Sequence, residues 1–306
     1  FPQGIRDIAL MKKAVYIHLF LLLLVLAGCS PVRKGCLMIC GGSEVRIVDP
    51  EESEGTNLKE VWKWHMDESK DVLPEEYVRY MDHVDECKLF DRNRKLLITS
   101  SAGGLIILDV RTKEVLFHTY VPMAHSADML PEGRVAVALS TDKEGNSLEV
   151  YDLDCNEKPI YRDSLYSGHG VVWNAKRQSL YALGGRELRE YKLIDWKGEN
   201  PSLEKVATWI IPVNYGHDLT AVDEDRLLLS GHEGVLWFDI SKEEFSPFEP
   251  LKDTPHVKSV NYDPSTGRLV YTKAEIGWWT HNVYQENPEK TLTIDTIRVY
   301  KARPVK

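Results

Sequence analysis

The chain has 306 residues, 47 of them Asp or Glu against 38 Lys or Arg, for a formal net charge of −9. An acidic chain without basic clusters excludes nucleic acid as an expected partner, since proteins hold its phosphates mainly through Lys and Arg. Apart from Cys29, the cysteines are Cys36, Cys40, Cys87 and Cys155, and no Cys-x-x-Cys zinc spacing occurs. Cys36 and Cys40 lie about 13 Å apart at strand rise, too far to bridge. Buried free thiols are the expectation for all four.

In chain order, residues 1–10 read as sequence upstream of a start Met, and Met11 to Cys29, "MKKAVYIHLFLLLLVLAGC", has the parts of an export signal. Lys12 and Lys13 form its basic head. Ala14 to Leu26 is an apolar core of about 13 residues, short of the roughly 20 a membrane-crossing helix needs. Leu26-Ala27-Gly28-Cys29 resembles the lipobox of bacterial lipoproteins, in which the cysteine is acylated, with palmitate-type chains, and becomes the mature N-terminus. Two or more acyl chains anchor a protein stably to a bilayer. Residues 11–28 are thus expected to be removed and 29–35 to form a short tether. The residues after Cys29 lack the acidic run that resembles a surface-export tag in Bacteroidetes lipoproteins. The expected location is the periplasmic side of the outer membrane, with the cell surface as the alternative.

From Cys36 onward the sequence repeats. His83, His125, His169, His217 and His256 stand 39 to 48 residues apart, each followed by an apolar run such as "KLLITS", "RVAVALS", "QSLYALGG", "RLLLSG" or "RLVYTK". A second run follows a short turn ("GLIILDV", "SLEVYDLD", "GVLWFDIS") and a weaker third comes later. Runs of this length, rich in Val, Ile, Leu, Tyr and Trp, read as strands. Three or four short strands at this period mark the blades of a β-propeller. "CLMICGG…EVRIVDP…EVWKWH" supplies a sixth set. The expected fold is all-β, a single propeller over residues 36–306 with six blades, or seven if the tail after Trp278 hides one. The ring is expected to close by pairing N- and C-terminal strands, with "TIRVYKARP" as the C-terminal candidate. Such closure removes exposed edges. Trp62 and Trp64 read as outer-strand packing, and His65 and His118 as surface residues.

In a propeller, loops leading into first strands share one face with loops joining second to third strands. Repeated polar residues there converge on the channel mouth. The expected ligand-binding set is His125, Asp128, His169, Trp173, His217, Asp218, His232, His256, Lys258, Lys273, Glu275 and Trp278, with Asp85 or Glu86 standing for the His83 repeat. Trp278 and Trp279 should point to opposite faces by strand alternation, one into the core and one into the cup. A polar cup with aromatic walls suits a sugar or sugar acid. Blade-repeated histidines can equally be registry devices that bond the next blade. Four of them together, His125, His169, His217 and His256, form a candidate site for a divalent metal such as Mn, Zn or Ca. Nucleophile-elbow, zincin, phosphate-loop and dinucleotide motifs are absent.

At "DECKLF", "LLITSSAGG", "AHSADMLPEGRVAVA", "YSGHGVVWN", "GGRELREYKLIDW", "GHDL", "VKSV", "RLVYTKAE" and "IRVYKARP" the chain resembles an uncharacterised family of Bacteroidetes secreted or lipid-anchored propellers. Its members are often labelled putative 6-phosphogluconolactonases. The resemblance implies a propeller, and the lactonase label rests on a fold shared by many functions. The expected function is a lipid-anchored monomer that binds a carbohydrate, sugar acid or partner at the histidine-rich mouth. The alternative is an enzyme at the same place. It would be a metal-dependent lyase on sugar acids, as in propeller-fold oligogalacturonate lyases, with His169 or His217 as base and Lys258 or Arg186 neutralising the carboxylate, or a lactonase using metal-activated water.

Overall fold

The computed structural model describes residues 32–155 and 158–306; the expected export signal, residues 11–28, and Cys29 lie outside the described residues. Six antiparallel four-stranded sheets are arranged as a β-propeller, and no described helix is long and apolar enough to cross a membrane. Blade 1 begins with β1 (Leu37–Gly41), β2 (Glu44–Glu54) and β3 (Asn57–His65). A 3₁₀ turn and a short helix, Glu76–Tyr80, lead to blade 2: β4 (Val84–Phe90), β5 (Lys95–Ser100), β6 (Gly104–Asp109) and β7 (Val115–Tyr120). Blade 3 holds β8 (Ala124–Leu130), β9 (Arg134–Leu139), β10 (Ser147–Asp152) and β11 (Tyr161–Ser164). Blade 4 holds β12 (Gly170–Asn174), β13 (Ser179–Leu183), β14 (Glu187–Ile194) and β15 (Ser202–Ile210). Blade 5 holds β16 (Asp218–Ala221), β17 (Arg226–Ser230), β18 (Val235–Asp239) and β19 (Glu244–Pro247). Blade 6 holds β20 (Val257–Asp263), β21 (Arg268–Lys273), β22 (Asn282–Glu286) and β23 (Lys290–Thr293). The last strand, β24 (Val299–Pro304), returns to blade 1 and pairs antiparallel with β1 as its innermost strand. The tail after Trp278 therefore completes blades 6 and 1, and the count is six.

The core is distributed as slabs between neighbouring blades. Second strands supply both sides of each slab: in β5, Leu96 and Ile98 pack toward blade 1 while Leu97 packs toward blade 3. In β13, Leu180 and Ala182 face blade 3 while Tyr181 and Leu183 face blade 5. Burial on both faces makes such strands continuous apolar runs, which is why they are the most visible repeat in the sequence. Trp62 and Trp64 are packing residues as expected, with the Trp62 indole donating to the Val110 carbonyl at 2.8 Å. His118, expected at the surface, instead packs edge-on against Tyr77. Cys36, Cys40 and Cys87 are free and buried; Cys155 is free but exposed, because it follows the outer end of β10 rather than lying in a blade interior.

The innermost strands β24, β4, β8, β12, β16 and β20 neighbour one another in a closed ring. Their inward residues are largely polar, and at mid-channel they form a buried ion cluster. Arg303 forks between Glu86 of blade 2 and Asp218 of blade 5, its four N–H···O bonds measuring 2.6 to 2.9 Å. Lys301 reaches the same two carboxylates at 3.2 Å each. Burial alone would raise both acids, but the Arg303 and Lys301 charges outweigh it and hold Glu86 and Asp218 below the usual carboxylate range.

Removing one partner of such a group strands uncompensated charge, at a cost of about 3–5 kcal/mol. Arg303→Met is expected to lose stability of that order at pH 7 in urea unfolding. Glu86 and Asp218 have folded pKa values below their unfolded ones. Their contribution is therefore complete above the unfolded carboxylate pKa of about 4 and is lost as pH falls below it. The variant should show a flatter acid limb; equal urea midpoints for the two proteins across pH 3 to 7 would show that the cluster adds nothing.

Candidate functional site

One opening of the channel widens into a cavity of about 750 Å³. Its floor is a ring with one residue from each inner strand: Tyr300, Asp85, His125, His169, His217 and Lys258. Asp85, His125, Lys258 and Tyr300 stand at register shifts of the inner pairing, where a strand carries an extra residue. Such bulges re-aim a side chain, here into the cavity. His169 and His217 occupy the same place in blades 4 and 5, each bonding through its N–H to the end of the second strand.

The recurring Gly-His pair follows from the approach to this position. Met123, Ser167 and Tyr215, two residues before each histidine, have φ near +50°. The residue between must be small: a Cβ on Gly216 would sit 2.8 Å from the Gly184 carbonyl oxygen, and one on Gly168 2.9 Å from that of Leu139. The left-handed residue also turns its carbonyl toward the imidazole. His125 Nδ1 donates to Met123 O and His169 Nδ1 to Ser167 O, both at 2.9 Å. A carbonyl only accepts, so each ring carries its proton on Nδ1 and leaves Nε2 with a free lone pair.

In blade 6 the left-handed residue is His256 itself, φ +56°, so the ring position two residues later falls to Lys258. His256 lies above the floor, where its ring meets His232 from the β17–β18 loop at 4.8 Å; His232 meets His217 at 4.9 Å. His125, His169 and His217 continue the line at 4.4 and 5.4 Å. Burial pushes the pKa of each of these last three down, with Lys258 adding to the effect at His217. They are neutral at physiological pH. Lys258, only 2% exposed, is pushed down to about 7 by burial and by the Lys301 charge below it. Its ammonium faces the His217 ring and lies 5.0 Å from the Trp278 ring centroid and 5.9 Å from that of Tyr300. Trp278, 65% exposed, Trp279, Tyr215 and Arg298 complete the walls, the Arg298 guanidinium lying 5.7 Å from the Trp279 ring.

Several expected site residues are elsewhere. Asp218, one residue past the ring, turns into the mid-channel ion cluster and accepts the Val260 N–H of the next blade at 2.9 Å. Asp128, three past it, accepts the Trp173 N–H at 3.0 Å, and both Asp128 and Trp173 line the opposite opening. These aspartates bond backbone N–H groups of the next blade, whereas the His125 and His169 rings bond the carbonyls two residues before them. Lys273 lies 5.0 Å from the Tyr284 ring centroid, and the Glu275 carboxylate accepts from Thr280, Asn282 and Tyr284. They brace the loop that carries the tryptophans and do not line the cavity. Arg186 is likewise outside the lining, whereas Trp278 and Trp279 both face it, because they lie in a loop where strand alternation does not apply. Of the two alternatives for the second blade, Asp85 takes the ring position and Glu86 the ion cluster. Sequence reasoning missed Tyr300 and Arg298. Setting "YKAR" under "HSAD", "HDLT" and "KSVN" as a sixth inner strand would have found the first of them.

The fold and cavity define a six-bladed propeller with a histidine-lined mouth. Residues 44–305 match a family of unknown function, DUF6528, and the chain belongs to that family. No curated protein sequence matches it. Among solved structures, a chain in "Crystal Structure of Mitotic Checkpoint Complex" is similar at 10% identity and a TM-score of 0.54, over 81% of this chain and 69% of that one. At that identity the likeness is one of fold.

The tautomer assignment is open to measurement. Long-range ¹⁵N-edited NMR of His169, whose pKa burial pushes well down, should show a protonated Nδ1 and a bare Nε2, unchanged from pH 8 down to about 6, just below the usual imidazole pKa. An imidazolium signal for His169 at pH 6 would contradict the burial argument.

Proposed function

We propose that the mouth cavity binds a carboxylate-bearing sugar. The observation that carries this reading is Lys258. Its ammonium is buried against neutral rings, among the described residues no carboxylate lies within ion-pair distance of it, and it opens into the cavity. Asp85, the single carboxylate of the floor ring, accepts the Ser101 N–H at 2.5 Å. A ligand carboxylate would supply the counter-charge, with Arg298 as a second cation at the rim. Trp278, Trp279 and Tyr215 offer faces for the apolar side of a pyranose, and the neutral histidines bond its hydroxyls.

Thermal unfolding should show glucuronate or galacturonate raising the Tm while glucose does so far less. Lys258→Met should abolish the preference for the acids without lowering the Tm of the free protein, because it replaces a buried amine by an apolar chain of similar length. Trp278→Ala should weaken binding of all sugars about tenfold, the loss of roughly 1.4 kcal/mol of stacking. Equal shifts by glucose and glucuronate would sink the reading.

A second reading adds chemistry to the same pose. His169 Nε2, unprotonated and at the floor, would take the proton from the carbon next to the ligand carboxylate while Lys258 steadies the developing charge; the C=C bond forms as the C–O bond to the neighbouring sugar breaks, and the departing oxygen takes a proton from water. Elimination across a uronate linkage would then leave an unsaturated product that absorbs in the ultraviolet. Absence of such absorbance over a range of acidic oligosaccharides leaves binding alone.

We further propose that the protein is exported, acylated at Cys29 and held at the periplasmic side of the outer membrane, on the strength of the Met11–Cys29 pattern. Labelled palmitate should enter the wild-type protein and not Cys29→Ala; equal labelling of both would remove the anchor.

A further inference from the structure

We infer that His217, His232 and His256 form a binding site for one transition-metal ion at the rim of the cavity, independent of what sugar the cavity takes. Each ring offers a nitrogen, and the three nitrogens all lie within 4.8 Å of one another. A tetrahedral ion with bonds of 2.0–2.1 Å asks for nitrogens about 3.4 Å apart. The rings must therefore close by at most about 1.4 Å from the widest separation. The parts free to move are the right ones. His256 is exposed and precedes β20, and His232 is half-buried at the tip of the β17–β18 loop, while His217 is fixed in the floor.

A second observation separates this trio from the other histidines of the mouth. His125 and His169 each spend Nδ1 on a backbone carbonyl, as does His281 with Ile294 and Ile297. Among the described residues, no backbone carbonyl is bonded to the rings of His217, His232 or His256. Lys258 does approach His217, but its Nζ is nearly equidistant from the two ring nitrogens, 3.3 Å from Nδ1 and 3.1 Å from Nε2. That places it over the ring face, away from the in-plane lone pairs a metal would use. The nearby Glu233 carboxylate is held by the Asn214 N–H and side-chain amide at 2.7 and 2.6 Å. The donor set is thus three imidazoles, of which His217 and His232 line the cavity. Three nitrogens suit Zn²⁺, Cu²⁺, Ni²⁺ or Co²⁺ and are a poor match for Ca²⁺, which takes oxygen ligands.

The test uses residues 32–306, which contain all six sheets, prepared without a histidine tag, stripped with EDTA and titrated with ZnCl₂ by calorimetry. The expected result is one Zn²⁺ per chain. The affinity should fall at least tenfold in His232→Ala and in His256→Ala, since even outer-shell partners of metal ligands are worth about 10–100-fold. It should not change in His65→Ala, on an outer strand. Loading with Co²⁺ should give visible d–d absorption that His232→Ala removes. Both exposed-side variants keep the buried floor intact, so folding does not confound them. No heat with Zn²⁺ and no Co²⁺ spectrum overturns the site, as does stoichiometric Zn²⁺ binding that persists in the His232→Ala, His256→Ala double variant. Neither outcome bears on the sugar-acid reading, which is scored by sugar titrations of the metal-free protein.

Discussion

Arg303 is the residue through which the ring is closed. It arrives on the C-terminal strand and holds Glu86 and Asp218, which belong to blades 2 and 5, so a single guanidinium spans the axis. A buried ion group of this kind is weak evidence for net stability, since an apolar replacement of equal volume can do as well. What it offers is register. β24 must slide into blade 1 next to β1, and a slip of one residue would turn Lys301 and Arg303 toward the Leu37, Ile39 and Val299 slab and leave two carboxylates bare. The cluster makes the wrong register costly.

Fixing β24 at this register also fixes the mouth. The residue before Lys301 is Tyr300, which completes the floor ring, and Arg298 two residues earlier reaches the rim. Each inner strand thus serves three levels. The ring residue faces the cavity, and the next belongs to the sealed middle, where Glu86, Asp218 and Lys301 meet. Lys88, Asp128, Val172, Thr220, Asn261 and Arg303, two residues further on, line the opposite opening of about 240 Å³. The sealed middle separates the two openings, so the histidine cavity is blind. Its charge is also set from below, for Lys301 is one reason Lys258 titrates near 7.

This layering explains what was legible in the sequence. Second strands such as β5 and β13 are apolar on both faces and announced the repeat, and with it the fold and the number of blades. Inner strands face the polar axis, are as short as Asp218–Ala221, and carry the information about the site in one residue each, which stands at a bulge in four blades and just ahead of the strand in blades 4 and 5. A bulge shifts alternation by one, and no feature of composition marks it. Spacing alone therefore groups Asp218 and Asp128 with His217 and His125, although they lie one and three residues deeper. His256 shows the same limit from the other side. It keeps the repeat spacing, but the left-handed turn has moved onto it, and Lys258 inherits the floor.

The path of the chain into the propeller bears on how an anchored molecule would sit. β24 runs from the mouth toward the opposite opening, and Gly35 donates to the Val305 carbonyl at its far end. Lys34 and Gly35 line a cleft there with Pro304, Val305 and Lys306, and β1 starts from that side because it pairs antiparallel with β24. Cys29 is only three residues before Val32, the first described residue, and a chain of that length spans about 10 Å at most. A membrane holding Cys29 would thus lie against the face opposite the histidines. Acylation at Cys29, as proposed, would put the anchor and the cavity at opposite ends of one axis and turn the mouth away from the bilayer, toward solutes.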